Sequence, residues 1–463
     1  MIYTWADHHI FTVQGGATLF GVDHGSLFSI DETTQELLSR LGGKLSLNLA
    51  EESGADREIL EGLRDARLLV PEGVKQKARP VDIEIGSVPL TTMVLEVAQE
   101  CNLRCTYCYA EGGTYGKQAN NMDTGTARAA VRQLIEGSRD QDRVTLVLFG
   151  GEPLLNMAAV RAAVDEAEIM SQLTGKKVFI SLTTNASLLD SEIIDFIHQH
   201  RIAVAISLDG PADVQDANRP DAVGGGSYSR IVGQLDGLLK GASAAVAARV
   251  TLVPEQWSRI EEVFFHLMDL GFHEVGIAPV SPIRPELLPN AEHEERLLEG
   301  FSSLARVFVA AAKTGRILPL SNLIDLLARL HMGQTKSVSC GAGYGYLAVD
   351  VEGKFYLCHR LVGEESFCVG NLSGGPDAEK IGGIMKTITC GKEEMCGSCW
   401  ARTLCSGGCH YENHLREKLL GIHKGSSCSF IRRWFQLGIE VYAEMKNAGL
   451  DEMLKKLEKR VKC

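Results

Sequence analysis

Three thiols share one short stretch, Cys101-Asn-Leu-Arg-Cys105-Thr-Tyr-Cys108. Thiolates this close on one loop suit three corners of an iron–sulfur cubane, and a [4Fe–4S] cluster gripped by three sulfurs keeps one iron open. An open iron can bind a small molecule, as an open zinc position does in a catalytic site. A structural zinc, or a cluster completed by a distant fourth ligand, is the alternative these spacings leave. The chain has 13 cysteines; none follows Cys108 until Cys340, and ten lie from Cys340 to Cys463. Their pattern is Cys340, then Gly353-Lys-Phe-Tyr-Leu-Cys358, then Cys396-x2-Cys399-x5-Cys405-x3-Cys409, then Cys428. A zinc ribbon needs four ligands in two Cys-x2-Cys pairs. Unequal spacings among seven cysteines point instead to further iron–sulfur centres. Cys463 reads as a free thiol.

The elements that must position these groups alternate. Strand-like runs at Thr92–Val97, Val144–Phe149, Val178–Thr183, Ala203–Ser207, Val246–Val253 and Val275–Pro279 are separated by helix-like runs. The helices are expected at Thr124–Gly137, Met157–Leu173, Ser191–His200, Tyr228–Lys240, Trp257–Leu270 and Glu292–Ala312. Six βα units in succession predict an α/β fold with a parallel sheet, a barrel or an open sheet, whose chemistry sits after the carboxyl ends of the strands. The cysteine triplet follows the first strand, Gly150-Gly151-Glu152-Pro153 the second, Asn185 the third and Asp209 the fourth. Arg249 lies inside an apolar strand, where a buried guanidinium needs an anion: a bound carboxylate or an ordinary ion pair. Residues 1–75 read as a small winged-helix-like α+β module, with helices at Glu32–Leu41 and Glu58–Ala66, and Glu72–Pro80 as a linker. Beyond Cys340 the helical period fades into a cysteine-rich domain, and residues 431–463 form a helical tail.

Composition bounds the function. The 463 residues are 45% apolar and 23% charged, with a net charge of −12. A sizeable core is affordable to such a chain, while a generally basic nucleic-acid coat is excluded. No run of 18 apolar residues predicts a membrane span. The N-terminus, with Asp7 and no apolar core, is not a secretory signal, so a cytoplasmic location is expected.

Cys-x3-Cys-x2-Cys with Tyr107 in the last gap resembles the signature of radical S-adenosylmethionine (SAM) enzymes, and the resemblance extends over Thr91–Pro279. It implies a partial (β/α)6 TIM-like barrel over residues 90–312. Cys101, Cys105 and Cys108 would hold a [4Fe–4S] cluster whose open iron chelates SAM. Tyr107, Gly150, Gly151, Glu152, Asn185 and Arg249 would contact SAM. In that family the reduced cluster splits SAM, and the 5′-deoxyadenosyl radical takes a hydrogen atom from the substrate. The C-terminal pattern resembles a SPASM auxiliary-cluster domain, here residues 340–430. By position, Cys396, Cys399, Cys405 and Cys428 would hold one auxiliary cluster and Cys340, Cys358 and Cys409 the other, three clusters in all. The fourth ligand of the latter is Cys368, Cys390 or an open iron.

The N-terminal module resembles precursor-peptide recognition elements, on the run Leu27-Phe28-Ser-Ile-Asp31-Glu32, and would bind a leader by strand addition. Ser207-Leu208-Asp209-Gly210-Pro211 through Asn218-Arg219-Pro220 resembles a segment of SPASM peptide-modifying enzymes and places Asp209 near the substrate. Sulfatase-maturating relatives have an Asp base directly after the Gly-x4-Cys cysteine; this chain has His359. Cys358-His359-x-x-Val-Gly is instead similar to maturases that form thioether cross-links. Two kinds fit: those acting on small cysteine-rich peptides, and the type that joins Cys to Asp or Glu in the small subunit of quinohemoprotein amine dehydrogenase. The N-terminal stretch favours the second. The resemblance thus implies Asp209 and His359 as catalytic residues. It implies a precursor peptide or small subunit with a leader as partner, and a flavodoxin- or ferredoxin-type electron donor. Formylglycine formation is the alternative reaction, and a zinc-binding interaction protein the non-enzyme alternative.

Overall fold

The computed structural model describes residues 2–13, 15–41, 46–52, 54–74, 88–389, 396–420 and 428–462. Residues 75–80 of the expected linker, Cys390 and Cys463 lie outside the described residues. In chain order the strands are β1 (Ile2–Trp5), β2 (His8–Val13), β3 (Gly16–Gly21), β4 (Ser26–Ile30), β5 (Leu47–Asn48) and β6 (Leu69–Pro71) in the N-terminal module. The central strands are β7 (Thr92–Ala98), β8 (Arg143–Gly150), β9 (Lys177–Thr184), β10 (Ala203–Ser207), β11 (Val246–Leu252) and β12 (Glu274–Pro279). β13 (Tyr346–Val349), β14 (Lys354–Tyr356), β15 (Cys368–Asn371) and β16 (Gly375–Pro376) follow.

All six central strands are parallel and stand in chain order, β12-β11-β10-β9-β8-β7. The sheet stays open, as a partial barrel does. β7 is apolar almost throughout because both of its faces are covered, as parallel strands require, and Met93, Leu95 and Val97 enter the main core. The helices fall close to where they were expected, stopped by caps, except that Trp257–Leu270 opens as a 3-10 turn and is α-helical only over Ile260–Asp269, and that a short helix, Ala212–Asn218, was not expected. Asp123 Oδ1 accepts from Gly125 N at 2.8 Å and Thr126 N at 3.0 Å to open Thr124–Gly137, and Gly175, at φ 73°, closes Met157–Thr174. Such side-chain caps satisfy orphan N–H groups of the first turn, and a left-handed glycine ends the last.

Three features differ from the expectation. The cysteine-rich domain is not separate from the barrel: β13 pairs in parallel with β7, Leu347 opposite Met93, and its hairpin continues the same sheet through β14, β15 and β16. That domain also contains helices, Ala378–Thr389 and His410–Leu420. In HYENHLREKLL polar residues interrupt the apolar stripe, which is why its periodicity is weak. The C-terminal stretch is a packed layer rather than a tail. Cys428–Asn447 and Asp451–Lys462 lie against Ser321–His331, a helix absent from the sequence reading, with Ile439, Met445, Leu454 and Leu457 fully buried. Gly438 is required there, since a Cβ would meet Leu326 Cδ2 at 2.3 Å.

The N-terminal module has a β2-β3-β4 meander, a β5-β1-β6 sheet and helices Glu32–Leu41 and Gly54–Asp65. It docks on the C-terminal layer: Phe11, Phe20 and Val22 pack with Leu326, Leu404 and Ile439. Arg402 pairs with Asp7 at 2.6 Å and Asp23 at 2.7 Å. No helix among the described residues is long and apolar enough to cross a membrane.

Candidate active site

The loops after the carboxyl ends of the strands enclose a cavity of about 330 Å³. Cys101, Cys105 and Cys108 line it with Tyr107, Gly150 and Gly151, and so do Ser207, Arg219, Thr251, His359, Arg360 and Glu412. The cysteine loop is braced from outside: Arg104 N donates to Pro220 O and Thr106 N to Asn218 O, each at 2.8 Å. Leu103 N points at Cys101 Sγ and Gly112 N at Cys108 Sγ, both at 3.4 Å. Burial pushes the Cys101 thiol up to about 12, with Glu152 adding to the rise, and burial also raises Cys105.

The donor set fits a cluster. Three sulfurs, two of them receiving backbone N–H, form one wall of a shielded cavity, and bound iron would supply the positive charge that deprotonates buried thiols. Among the described residues no three His, Cys, Asp or Glu side chains converge on a single-ion site.

Gly150 and Gly151 let two backbones meet. Gly150 has φ 150°, and a Cβ on Gly151 would lie 2.2 Å from Glu100 O and 2.8 Å from Gly113 Cα. Only glycine allows this approach. Gly151→Ala is therefore expected to cost on the order of 3 kcal/mol by overpacking. A thermal melt checks it, and an unchanged midpoint contradicts the close approach.

Several expected contact residues face the protein rather than the cavity. Glu152 is fully buried; Oε1 accepts from Thr184 Oγ1 at 2.6 Å and Leu154 N at 3.0 Å, and Oε2 from Asn185 N at 2.7 Å. It bolts the β8 loop to the end of β9. Asn185 donates to Asn102 Oδ1 at 2.9 Å and towards Cys101 Sγ at 3.7 Å, so it braces the cysteine loop. Asp209, expected near the substrate, is also fully buried. Its carboxylate accepts from Tyr107 Oη at 2.6 Å, Thr251 N at 3.0 Å and Asn218 Nδ2 at 3.3 Å. Burial raises its pKa against the pull of Arg219. With its oxygens engaged, Asp209 is a positioning residue that fixes the Tyr107 ring on the cavity wall.

Arg249 departs furthest from its expectation. It is exposed rather than buried, and it lines a second cavity of about 550 Å³ inside the barrel with Ser181, Thr183, Ala205 and Ala247. The open inner face of an incomplete barrel lets a strand-borne guanidinium reach solvent without an ion pair. Two cations line the thiol-lined cavity instead, Arg360 and Arg219; Arg219 Nη1 donates to Tyr107 Oη at 2.9 Å, and its Nε has no acceptor among the described residues. The signal for Arg219 was present in Asn218-Arg219-Pro220, but nothing in that run shows its direction. His359 and Phe149 line both cavities. The His359 ring packs 4.9 Å from Phe149, Nδ1 is hydrogen-bonded with Tyr346 Oη, and burial lowers its pKa to about 3.

Two sets of C-terminal thiols act on one another electrostatically. The charges felt by Cys358 include Cys409 and Cys340, and those felt by Cys405 include Cys428 and Cys399. Cys396 stands one turn before Cys399, whose N–H donates to its carbonyl at 2.9 Å. Cys368 lies on β15 opposite Tyr356, with its Sγ 3.7 Å from Gly370 O.

Residues 95–267 match the Radical SAM superfamily. The chain carries a radical SAM domain. That domain implies a [4Fe–4S] cluster and SAM, and it sets aside the reading as a zinc-binding interaction protein. The chain is 23% identical over 354 residues to a serine-type anaerobic sulfatase-maturating enzyme of Klebsiella aerogenes, covering 73% of this chain and 84% of that one. It is 27% identical over 296 residues to an uncharacterized protein of Methanocaldococcus jannaschii, covering 62% and 90%. The structure of native anSMEcpe with bound AdoMet superposes with a TM-score of 0.66 at 17% identity, over 78% of this chain and 99% of that one. Streptococcus suis SuiB bound to precursor peptide SuiA gives 0.53 at 16% identity, over 92% and 99%. The fold of this chain is thus shared with both.

Proposed function

We propose that the chain is a cytoplasmic radical SAM maturase that modifies a peptide or small protein subunit by joining a Cys sulfur to a carbon of another residue. Three [4Fe–4S] clusters are assigned: one on Cys101, Cys105 and Cys108, one on Cys340, Cys358 and Cys409, and one on Cys396, Cys399, Cys405 and Cys428. Held by Cys101, Cys105 and Cys108, the cluster would supply the electron for reductive cleavage of SAM, which yields the radical that takes a hydrogen atom from the substrate. The protein's own groups orient and shield. Tyr107, fixed by Asp209, walls the cavity, and Arg219 with Ser207 offers a cation and a hydroxyl for the amino-acid end of SAM. Joining a thiol sulfur to a C–H carbon releases two electrons and two protons; one of each leaves as the abstracted hydrogen atom. The remaining electron needs an acceptor, which the sulfur-rich domain suits, and the thiol proton goes to solvent.

A peptide substrate is supported by the N-terminal module. The outer edge of β4 has no strand partner among the described residues, and such an edge can take an added strand from a leader. The observation that carries the thioether reading is His359 on the partition between the two cavities, where a formylglycine-forming enzyme would place a carboxylate base. The similarity to sulfatase-maturating enzymes favours the second reading, oxidation of Cys or Ser to formylglycine. Co-expression with the small open reading frame beside the gene, followed by mass spectrometry, separates the two. A thioether product loses two hydrogens and keeps its sulfur. Loss of the sulfur, or oxidation confined to Ser, contradicts thioether formation.

A further inference from the structure

Arg360 joins the barrel to the cysteine-rich domain. Its guanidinium carbon lies 4.3 Å from the Tyr411 ring centroid and 5.0 Å from that of Tyr109, and the two rings meet edge to face at 5.7 Å. Nη2 is hydrogen-bonded to Ser281 Oγ, and Nη1 lies 3.5 Å from Glu412 Oε1, which accepts from Ser281 Oγ at 2.7 Å. The cation is held on every side, so its position is fixed.

Its neighbours in sequence explain what it faces. Tyr109 follows Cys108, Arg360 is two residues after Cys358, and Tyr411 is two after Cys409. The Arg360 N–H points to Cys358 Sγ at 3.5 Å, and its side chain also lines the cavity of the Cys101–Cys108 loop. Arg360 Nε is buried with no acceptor among the described residues. A buried, unpartnered guanidinium N–H beside thiols assigned to a cluster calls for an anion, and a cysteine-ligated cubane is one.

We propose that Arg360, set against Glu412, is a positioning residue that raises the reduction potential of the auxiliary cluster on Cys340, Cys358 and Cys409. The inference rests on the cluster assignment made above. Reduction adds negative charge, so a fixed cation nearby favours the reduced state and a fixed carboxylate opposes it; charge and hydrogen bonding to the sulfurs are the usual levers on such potentials. Arg360 also donates to Ser281, so the loop after β12 and the auxiliary site are coupled mechanically as well as electrostatically.

The test is an anaerobic redox titration of the reconstituted full-length protein, followed by electron paramagnetic resonance, with iron counted in each variant. Arg360→Gln is expected to shift the auxiliary potential to more negative values, because it removes the cation and leaves Glu412 uncompensated. Glu412→Gln is expected to shift it the opposite way, and Arg360→Lys to stay nearer the unsubstituted protein. Potentials unchanged, or moved in the same direction by both neutral substitutions, at full iron content overturn the role of Arg360. A protein that takes up iron only at Cys101, Cys105 and Cys108 overturns the cluster assignment, and the inference with it.

Discussion

Cys105→Ala is expected to remove about four irons per chain and to bring SAM cleavage down to the background of protein-free controls. The reason is geometric. Cys105 is the middle sulfur of a loop whose flanking thiols are held by Leu103 N and Gly112 N. Among the described residues no other cysteine lines that cavity, so none of them can replace it. The auxiliary thiols belong to other loops, so the iron that remains should show an altered paramagnetic spectrum rather than none. Full iron content with unchanged cleavage contradicts the assignment of the loop. Loss of all iron points instead to a variant whose fold has failed, which circular dichroism identifies.

The second large effect concerns Glu96, on β7. It is fully buried, and its carboxylate oxygens have no close hydrogen bond among the described residues. Burial raises its pKa to about 8, Asp350 adds to the rise, and Tyr115 opposes it. In the unfolded chain a Glu titrates near about 4.3. Between these limits the folded state holds a proton that the unfolded state has lost. Stability therefore falls as pH rises through this window, by up to about 1.4 kcal/mol per pH unit, and levels off above about pH 8. Glu96→Gln keeps the shape and removes the charge. At pH 8 it is expected to be more stable than the unsubstituted protein by on the order of 5 kcal/mol, and equal to it near pH 4. Thermal midpoints of both proteins across that range check this. Parallel profiles contradict a neutral, buried Glu96.

The barrel was legible because parallel strands covered on both faces read as unbroken apolar runs, and because Asp123 and Asp190 announce the helices they cap. The position of each polar signal at a strand's carboxyl end was legible for the same reason. Direction was not. Glu152, Asn185 and Asp209 occupy the expected loops, yet the two carboxylates turn to donors of neighbouring loops and Asn185 to an acceptor, Asn102 Oδ1, which a buried carboxylate or amide needs as much as a ligand would. Arg249 sits in an apolar strand but faces the open interior, because an incomplete barrel leaves its inner surface wet. Arg360 and Glu412 are 52 residues apart, one just after β14 and the other in the helix His410–Leu420, and only the folded chain brings them together. Ser321–His331 was missed although Leu323, Ile324, Leu327 and Leu330 mark a buried face; its partners are C-terminal helices that read as a tail.

Cleavage of SAM decides whether this cavity works as described. The anaerobically reconstituted, dithionite-reduced protein is incubated with SAM, and 5′-deoxyadenosine and methionine are quantified by chromatography. Release of both in equal amounts, abolished in Cys105→Ala, is the predicted result. A reduced protein with its iron sites filled that leaves SAM intact, alone and with the co-expressed peptide, contradicts the account.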